Sequence, residues 1–118
     1  MIEASCHCGA VRLTVEAAPD DVGDCNCSLC RRYGALWAYY QRPQVRFAAD
    51  NGPTDIYMGR DGRLEFHRCR TCGCLTHWSA ADRAKPRMGV NARMMPPEVL
   101  APIPVVQIDG AAWPLPSG

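Results

Sequence analysis

The sequence predicts a single, mostly β domain with little helix, organised around bound metal. Three observations carry that expectation. Val11, Leu13 and Val15 alternate with Arg12, Thr14 and Glu16, the period-two pattern of a half-buried strand. Ten prolines and ten glycines supply the turns that many short strands require. Eight cysteines fall into three tight groups: Cys6 and Cys8; Cys25, Cys27 and Cys30; Cys69, Cys72 and Cys74. Cys-x-Cys and Cys-x-x-Cys spacings put sulfurs on one turn, where a thiophilic metal such as zinc can gather them.

The remaining elements follow in order along the chain. Residues 18–23 read as a turn-rich stretch leading into the second cysteine group. Residues 28–33 contain the good helix formers Leu29, Arg31 and Arg32 and stop at Gly34, which predicts one or two helical turns. Residues 36–40, 44–47, 55–58, 64–68 and 75–79 are expected as strands, with turns at Asn51-Gly52-Pro53 and Arg60-Asp61-Gly62. Pro96-Pro97-Glu98 can open a short helix, because proline suits a first turn. Residues 105–108 are a last expected strand, and the end at Pro114 and Pro116 is expected to fray.

A length of 118 residues suits one domain, spanning residues 1–118. With 47% hydrophobic and 21% charged residues the chain is not a disordered charged tail. Its formal charge of +1 offers no electrostatic footprint for nucleic acid or an anionic membrane. Every cation except Lys85 is arginine or lies at the terminus, and in sequence the arginines look scattered rather than clustered. No apolar run approaches the ~20 residues of a membrane span. The start, MIEASCHCGAVRL, has neither a basic n-region nor an uninterrupted apolar h-region. No signal peptide is expected, so the expected setting is soluble, reducing and cytoplasmic, where disulfides are rare. So many turns imply a thin core, and a structural zinc site, at roughly 10–16 kcal/mol in finger peptides, matches the whole stability of a typical domain, about 5–15 kcal/mol.

Eight sulfurs could fill two closed four-cysteine sites, or one closed site and one open one. Cys6-x-Cys8-Gly9 and Cys69-x-x-Cys72-Gly73 have the same knuckle form, with glycine permitting a left-handed turn. Two such knuckles make the simplest closed tetrahedron. Cys25, Cys27 and Cys30 then supply three ligands from one short segment, and Cys74 is left over. Cys74 reads either as a small buried apolar side chain or as the ligand that would close the second site.

The segments CHCGAVRL, CNCSLCRRYGALW and HRCRTCGC closely resemble, in order, the glutathione-dependent formaldehyde-activating enzyme family, which also includes centromere protein V-like domains. The resemblance covers roughly residues 3–109. It implies a zinc-binding β-tent fold, like that of Rab-exchange-factor-like and methionine sulfoxide reductase-like domains. It also implies two zinc ions, a structural one on Cys6, Cys8, Cys69 and Cys72 and a catalytic one on Cys25, Cys27 and Cys30. Where many members carry an aromatic residue just before the last knuckle, this chain has Arg68.

Three thiolates leave a zinc site with a net charge of −1 and blunt its power to activate water. Such a site suits holding a further thiolate that stays nucleophilic. The expected reaction joins a small thiol such as glutathione to formaldehyde or another small aldehyde; in reverse it is a carbon–sulfur lyase reaction. A zinc deaminase would need H-x-E and P-C-x-x-C elements, which are missing: Asn26 precedes Cys27. Arg31, Arg32 and His77 are candidate donors to the developing alkoxide, though each reads more readily as an ordinary surface or strand residue, and His7 and His67 more so. Trp37, Tyr39, Tyr40 and Trp78 are expected in the core or on the sheet surface rather than as substrate walls. The competing reading is a non-catalytic zinc module that binds a protein partner.

Overall fold

A computed structural model describes residues 1–59 and 61–113. In chain order its strands are β1 (Ile2–Ser5), β2 (Arg12–Val15), β3 (Val22–Cys25), β4 (Trp37–Gln41), β5 (Val45–Phe47), β6 (Thr54–Gly59), β7 (Leu64–Cys69), β8 (Leu75–Ala80), β9 (Arg87–Asn91) and β10 (Val105–Ile108). Two four-residue helices, α1 (Cys30–Tyr33) and α2 (Pro97–Leu100), complete a mostly β fold with little helix, as the sequence predicts. One sheet has the order β1-β2-β5 and the other the order β10-β3-β4-β9-β8-β7-β6. The pairs are antiparallel apart from β10 on β3. Among the described residues no helix is long and apolar enough to cross a membrane.

The larger sheet is apolar on both faces, and each face packs differently. Successive strand residues point to opposite sides, so β4 presents Ala38 and Tyr40 one way and Trp37 and Tyr39 the other. Ala38 and Tyr40 join Val90 and Met88 of β9 and Val11, Leu13 and Val15 from the small sheet in the main core. The Tyr40 hydroxyl donates to the Ala17 carbonyl at 2.8 Å, so its polar tip is satisfied. Trp37 belongs instead to a second apolar cluster with Phe66, Cys25, Cys27 and Cys30, against which Tyr39 and Trp78 pack.

Two glycines make room for that second cluster. Tyr39 pairs across the sheet with Gly89, Gly89 with Trp78, and Trp78 with Phe66, so these four residues form one row over four strands. A Cβ at Gly89 would fall inside the Trp78 indole, so only glycine lets that ring lie flat across β9. A Cβ at Gly23 would collide with Ile108 and would sit 2.8 Å from the Tyr39 phenol oxygen. Tyr39 and Trp78 then meet edge to face, with ring centroids 6.3 Å apart.

Several elements depart from the sequence expectation. β1 and β9 are unanticipated strands. Residues 22 and 23, expected in a turn, open β3, which is held between β4 and β10. The expected helix at 28–33 is confined to Cys30–Tyr33 and ends on Gly34, whose φ of 67° lets its N–H reach the Cys30 carbonyl. The turn at Asp61 and Gly62 is present, with φ of 57° and 81°. Arg60, Pro114 and Pro116 lie outside the described residues.

On the core side of β7 and β8, His67 and His77 stack with centroids 4.1 Å apart, and Phe47 packs on His77 at 4.8 Å. Thr76 Oγ1 lies 2.9 Å from His77 Nδ1. Burial pushes the His77 imidazole from its ordinary 6.5 down to about 3. The unfolded chain thus takes up a proton that the folded chain refuses between those values. The stability that depends on the neutral ring is complete above about pH 6.5 and declines as the pH falls towards 3, by up to about 1.4 kcal/mol per pH unit. In urea titrations between about pH 7 and 5, His77→Gln should be less stable at neutral pH but lose stability less steeply on acidification. Parallel acid losses in the two proteins would contradict the burial argument.

Candidate metal centres and the adjoining cavity

The first cysteine group is assembled by two matching turns. After β1 the chain doubles back at Gly9, whose φ is 82°, as the Gly9 N–H reaches the Cys6 carbonyl at 3.2 Å. After β7 it turns at Gly73, φ 77°, with the Gly73 N–H on the Cys69 carbonyl at 2.8 Å. These turns bring the sulfurs of Cys6, Cys8, Cys69 and Cys72 within 4.8 Å of one another. Cys6 Sγ to Cys8 Sγ and Cys8 Sγ to Cys69 Sγ are both 3.7 Å. A zinc–sulfur distance of about 2.3 Å gives a tetrahedron edge of about 3.8 Å, so this set suits a tetrahedral thiophilic ion. The spacing is far too wide for disulfides, whose sulfurs sit about 2 Å apart.

The protonation balance of these sulfurs also fits a cation. Backbone N–H groups of Cys8 and Cys74 pull the Cys72 thiol down to about 6, and the Cys72 N–H lowers Cys69. The Ala10 N–H favours the Cys8 anion, yet desolvation and the neighbouring sulfurs push Cys8 up to about 11. Four thiolates this close cannot all ionise against one another without a positive charge among them.

The second group is built from the end of β3 and the start of α1. Cys25, Cys27 and Cys30 are all buried, and their sulfurs again lie within 4.8 Å. Asn26 anchors the segment: its side-chain amide donates to Asp109 at 3.0 Å and accepts from the Ala111 N–H at 2.9 Å. The Cys30 N–H reaches Cys27 Sγ at 3.2 Å. Burial pushes Cys30 up to about 12 and raises Cys25. Burial opposes ionisation of Cys27 too, but the N–H of Cys30 leads the hydrogen bonds that bring it below its ordinary value. Both groups can hold a metal ion, and their all-sulfur donor sets suit zinc. Cys74 belongs to neither; its thiol donates to the Leu75 carbonyl at 3.5 Å and packs against the main core.

Cys25 and Cys30 form part of the wall of a cavity of about 400 Å³. Trp37, Tyr39, Phe66 and Trp78 supply its aromatic surface, and Arg63, Lys85 and Arg87 also line it. Burial pushes the Tyr39 phenol up to about 12, so its O–H stays protonated at neutral pH. The Trp37 indole N–H is buried without a partner at hydrogen-bonding geometry, although it favours the anionic form of Cys30.

The structure places three sequence-derived candidate donors elsewhere. Arg31 and Arg32 are exposed on α1, where Arg32 donates to the Ser28 carbonyl at 2.6 Å. His77 sits on the opposite sheet face from Trp78, beside a separate cavity shared with His67 and Glu65. Of the four aromatic residues expected in the core or on the sheet surface, Tyr40 and Trp37 are buried in the two core clusters, as expected, while Trp37, Tyr39 and Trp78 also line the cavity. The i, i+2 spacing of Trp37 and Tyr39 hinted at one shared face, but their partners across the sheet depend on a register the sequence does not display.

Comparison with known proteins agrees with this arrangement. A crystal structure of a Rhodobacter sphaeroides protein superposes with a TM-score of 0.70 at 31% sequence identity, covering 89% of this chain and all of the other. Residues 1–105 match the family described as glutathione-dependent formaldehyde-activating enzyme. With both cysteine groups and nearly the whole chain inside that match, the protein belongs to the glutathione-dependent formaldehyde-activating enzyme family.

Proposed function

We propose that this chain joins a small thiol of the glutathione type to formaldehyde or a related small aldehyde, and catalyses the reverse carbon–sulfur cleavage. The observation that carries the reading is a buried group of three cysteines, two of which open onto an aromatic-walled cavity. In this reading Cys6, Cys8, Cys69 and Cys72 hold a structural zinc, and Cys25, Cys27 and Cys30 hold a catalytic one. Zinc on three thiolates would keep an incoming thiol ionised and nucleophilic at neutral pH. A purely structural module has no use for a three-ligand group facing a cavity. Eight thiols and a thiol substrate suit a reducing setting such as the cytoplasm.

The chain's own residues account for the rest of the reaction. As the sulfur–carbon bond forms, the carbonyl electron pair moves to oxygen, and the proton released by the thiol ends on that oxygen. The Tyr39 O–H is the donor on the cavity wall for the developing oxyanion, while the buried Trp37 N–H favours the anionic form of Cys30. The aromatic walls exclude water, which would compete for the aldehyde and weaken these hydrogen bonds.

Three variants test the assignment. Cys27→Ser should fold as wild type by circular dichroism, carry about one zinc fewer per chain and lose activity. Cys72→Ser should give a largely unfolded or aggregated chain, because its group closes a loop of more than sixty residues. Tyr39→Phe should lower kcat by about tenfold to a hundredfold with a smaller change in KM for the thiol. Full activity in Cys27→Ser would overturn the catalytic role of the middle group, and wild-type melting of Cys72→Ser would overturn the structural role of the other.

A further inference from the structure

Arg63 is more than twenty residues from Lys85 and Arg87 in sequence, yet all three line the same cavity. Arg63 ends the turn between β6 and β7, and Lys85 lies in the turn between β8 and β9. The two turns run side by side, since the Ala81 N–H donates to the Arg63 carbonyl at 2.9 Å. Arg42 Nε holds the Lys85 carbonyl at 3.2 Å and the Arg42 N–H holds the Pro86 carbonyl at 2.7 Å, which fixes the Lys85 backbone. Arg87 opens β9, with its guanidinium carbon 4.5 Å from the centre of the Tyr39 ring.

The charges of these three residues are unanswered. Arg12, Arg70 and Arg83 each form an ion pair with a carboxylate, whereas Arg63, Lys85 and Arg87 form none among the described residues. No aspartate or glutamate lines the cavity among the described residues. Asp82, in the same turn as Lys85, turns its carboxylate to the Ala84 N–H at 3.0 Å. Three cations thus share a cavity that has two cysteines on its wall and no carboxylate among its described lining residues.

We infer that Arg63, Lys85 and Arg87 make the cavity selective for thiols that carry carboxylates. This rests on the reading above that the cavity receives a thiol. An anionic thiol approaching a group of three thiolates meets like charge, and a cationic rim reverses the sign of the field at the entrance. Exposed pairs of this kind contribute modestly, at a factor of about two to five each, so discrimination depends on several acting together.

Three thiols of similar size and different charge test the inference: 3-mercaptopropionate, 2-mercaptoethanol and cysteamine. Their binding to the zinc-loaded protein is measured by calorimetry at low and high salt, in wild type and in the double variant Arg63→Gln/Lys85→Gln. Comparing each thiol between the two proteins cancels its intrinsic acidity. The variant should lose about tenfold of the preference for 3-mercaptopropionate over cysteamine, and high salt should erode the wild-type preference similarly. An unchanged preference in a variant that melts like wild type overturns the inference. If no thiol binds at all, the thiol-binding reading itself fails. S-methylglutathione, which keeps both carboxylates but has no free thiol, then decides the rim separately. Salt-sensitive binding that the double variant weakens supports the inference, and absence of binding overturns it.

Discussion

The convergence of four sulfurs from two knuckles is the constraint on which the rest of the structure depends. Cys8 and Cys69 are 61 residues apart, yet their sulfurs lie 3.7 Å from each other. One knuckle leaves the small sheet at β1 and the other joins β7 to β8 of the large sheet. Holding them together fixes how the two sheets face each other across the main core. A core this small has few large side chains to fix that relation: of the buried aromatics among the described residues only Tyr40 lies in it, while Trp37 and Phe66 belong to the other cluster. The register slip between His67 and Arg68, just before Cys69, lies where β7 bends into its knuckle.

The large sheet divides two tasks between its faces. One face, with Ala38, Val90 and Met88, completes the core beneath the small sheet. The other, with Trp37, Tyr39, Trp78 and Phe66, walls the cavity beside the second cysteine group. Strand alternation forbids one residue from serving both. His77 immediately precedes Trp78 and therefore cannot reach the cavity, however suitable imidazole would be as a donor. The stack of half-buried His67 on buried His77 is instead hydrogen-bonded to Thr54 and Thr76.

Much of this was legible in the sequence because the informative residues are neighbours. Cysteine spacings defined both sulfur groups, Gly34 marked the end of α1, and alternation marked β2. The misses have common physical causes. In β9 the sequence Arg87-Met88-Gly89-Val90-Asn91 carries a glycine that lowers strand propensity, and only the Trp78 ring lying across it explains why glycine is there. In β3, Val22-Gly23-Asp24-Cys25 resembles a turn because its pairing comes from β10, some eighty residues away. The cation cluster was invisible for the same reason: Arg63 joins Lys85 and Arg87 only once two hairpin turns lie side by side. Arg31 and Arg32, adjacent to a cysteine in sequence, point to solvent.

The elements that carry the cavity's groups differ in how far the sheet holds them, in a way that matches the part each would play in the proposed reaction. Trp37 and Tyr39 stand on β4, flanked by β3 and β9 in the interior of the sheet. Hydrogen-bond donation to an oxyanion is steeply dependent on distance and angle, so donors gain from a backbone held on both sides. Arg63 and Lys85 stand on turns, and Arg87 on the first residue of a strand. Coulomb attraction falls only as the inverse of distance and has no angular requirement, so cations tolerate motion that would disable a donor. Under the proposed reading, long exposed side chains on turns could follow carboxylates of varied placement, while the reacting carbon and oxygen would meet a wall held by the sheet. The proposed division puts precision where bonds would change and latitude where charge would be recognised.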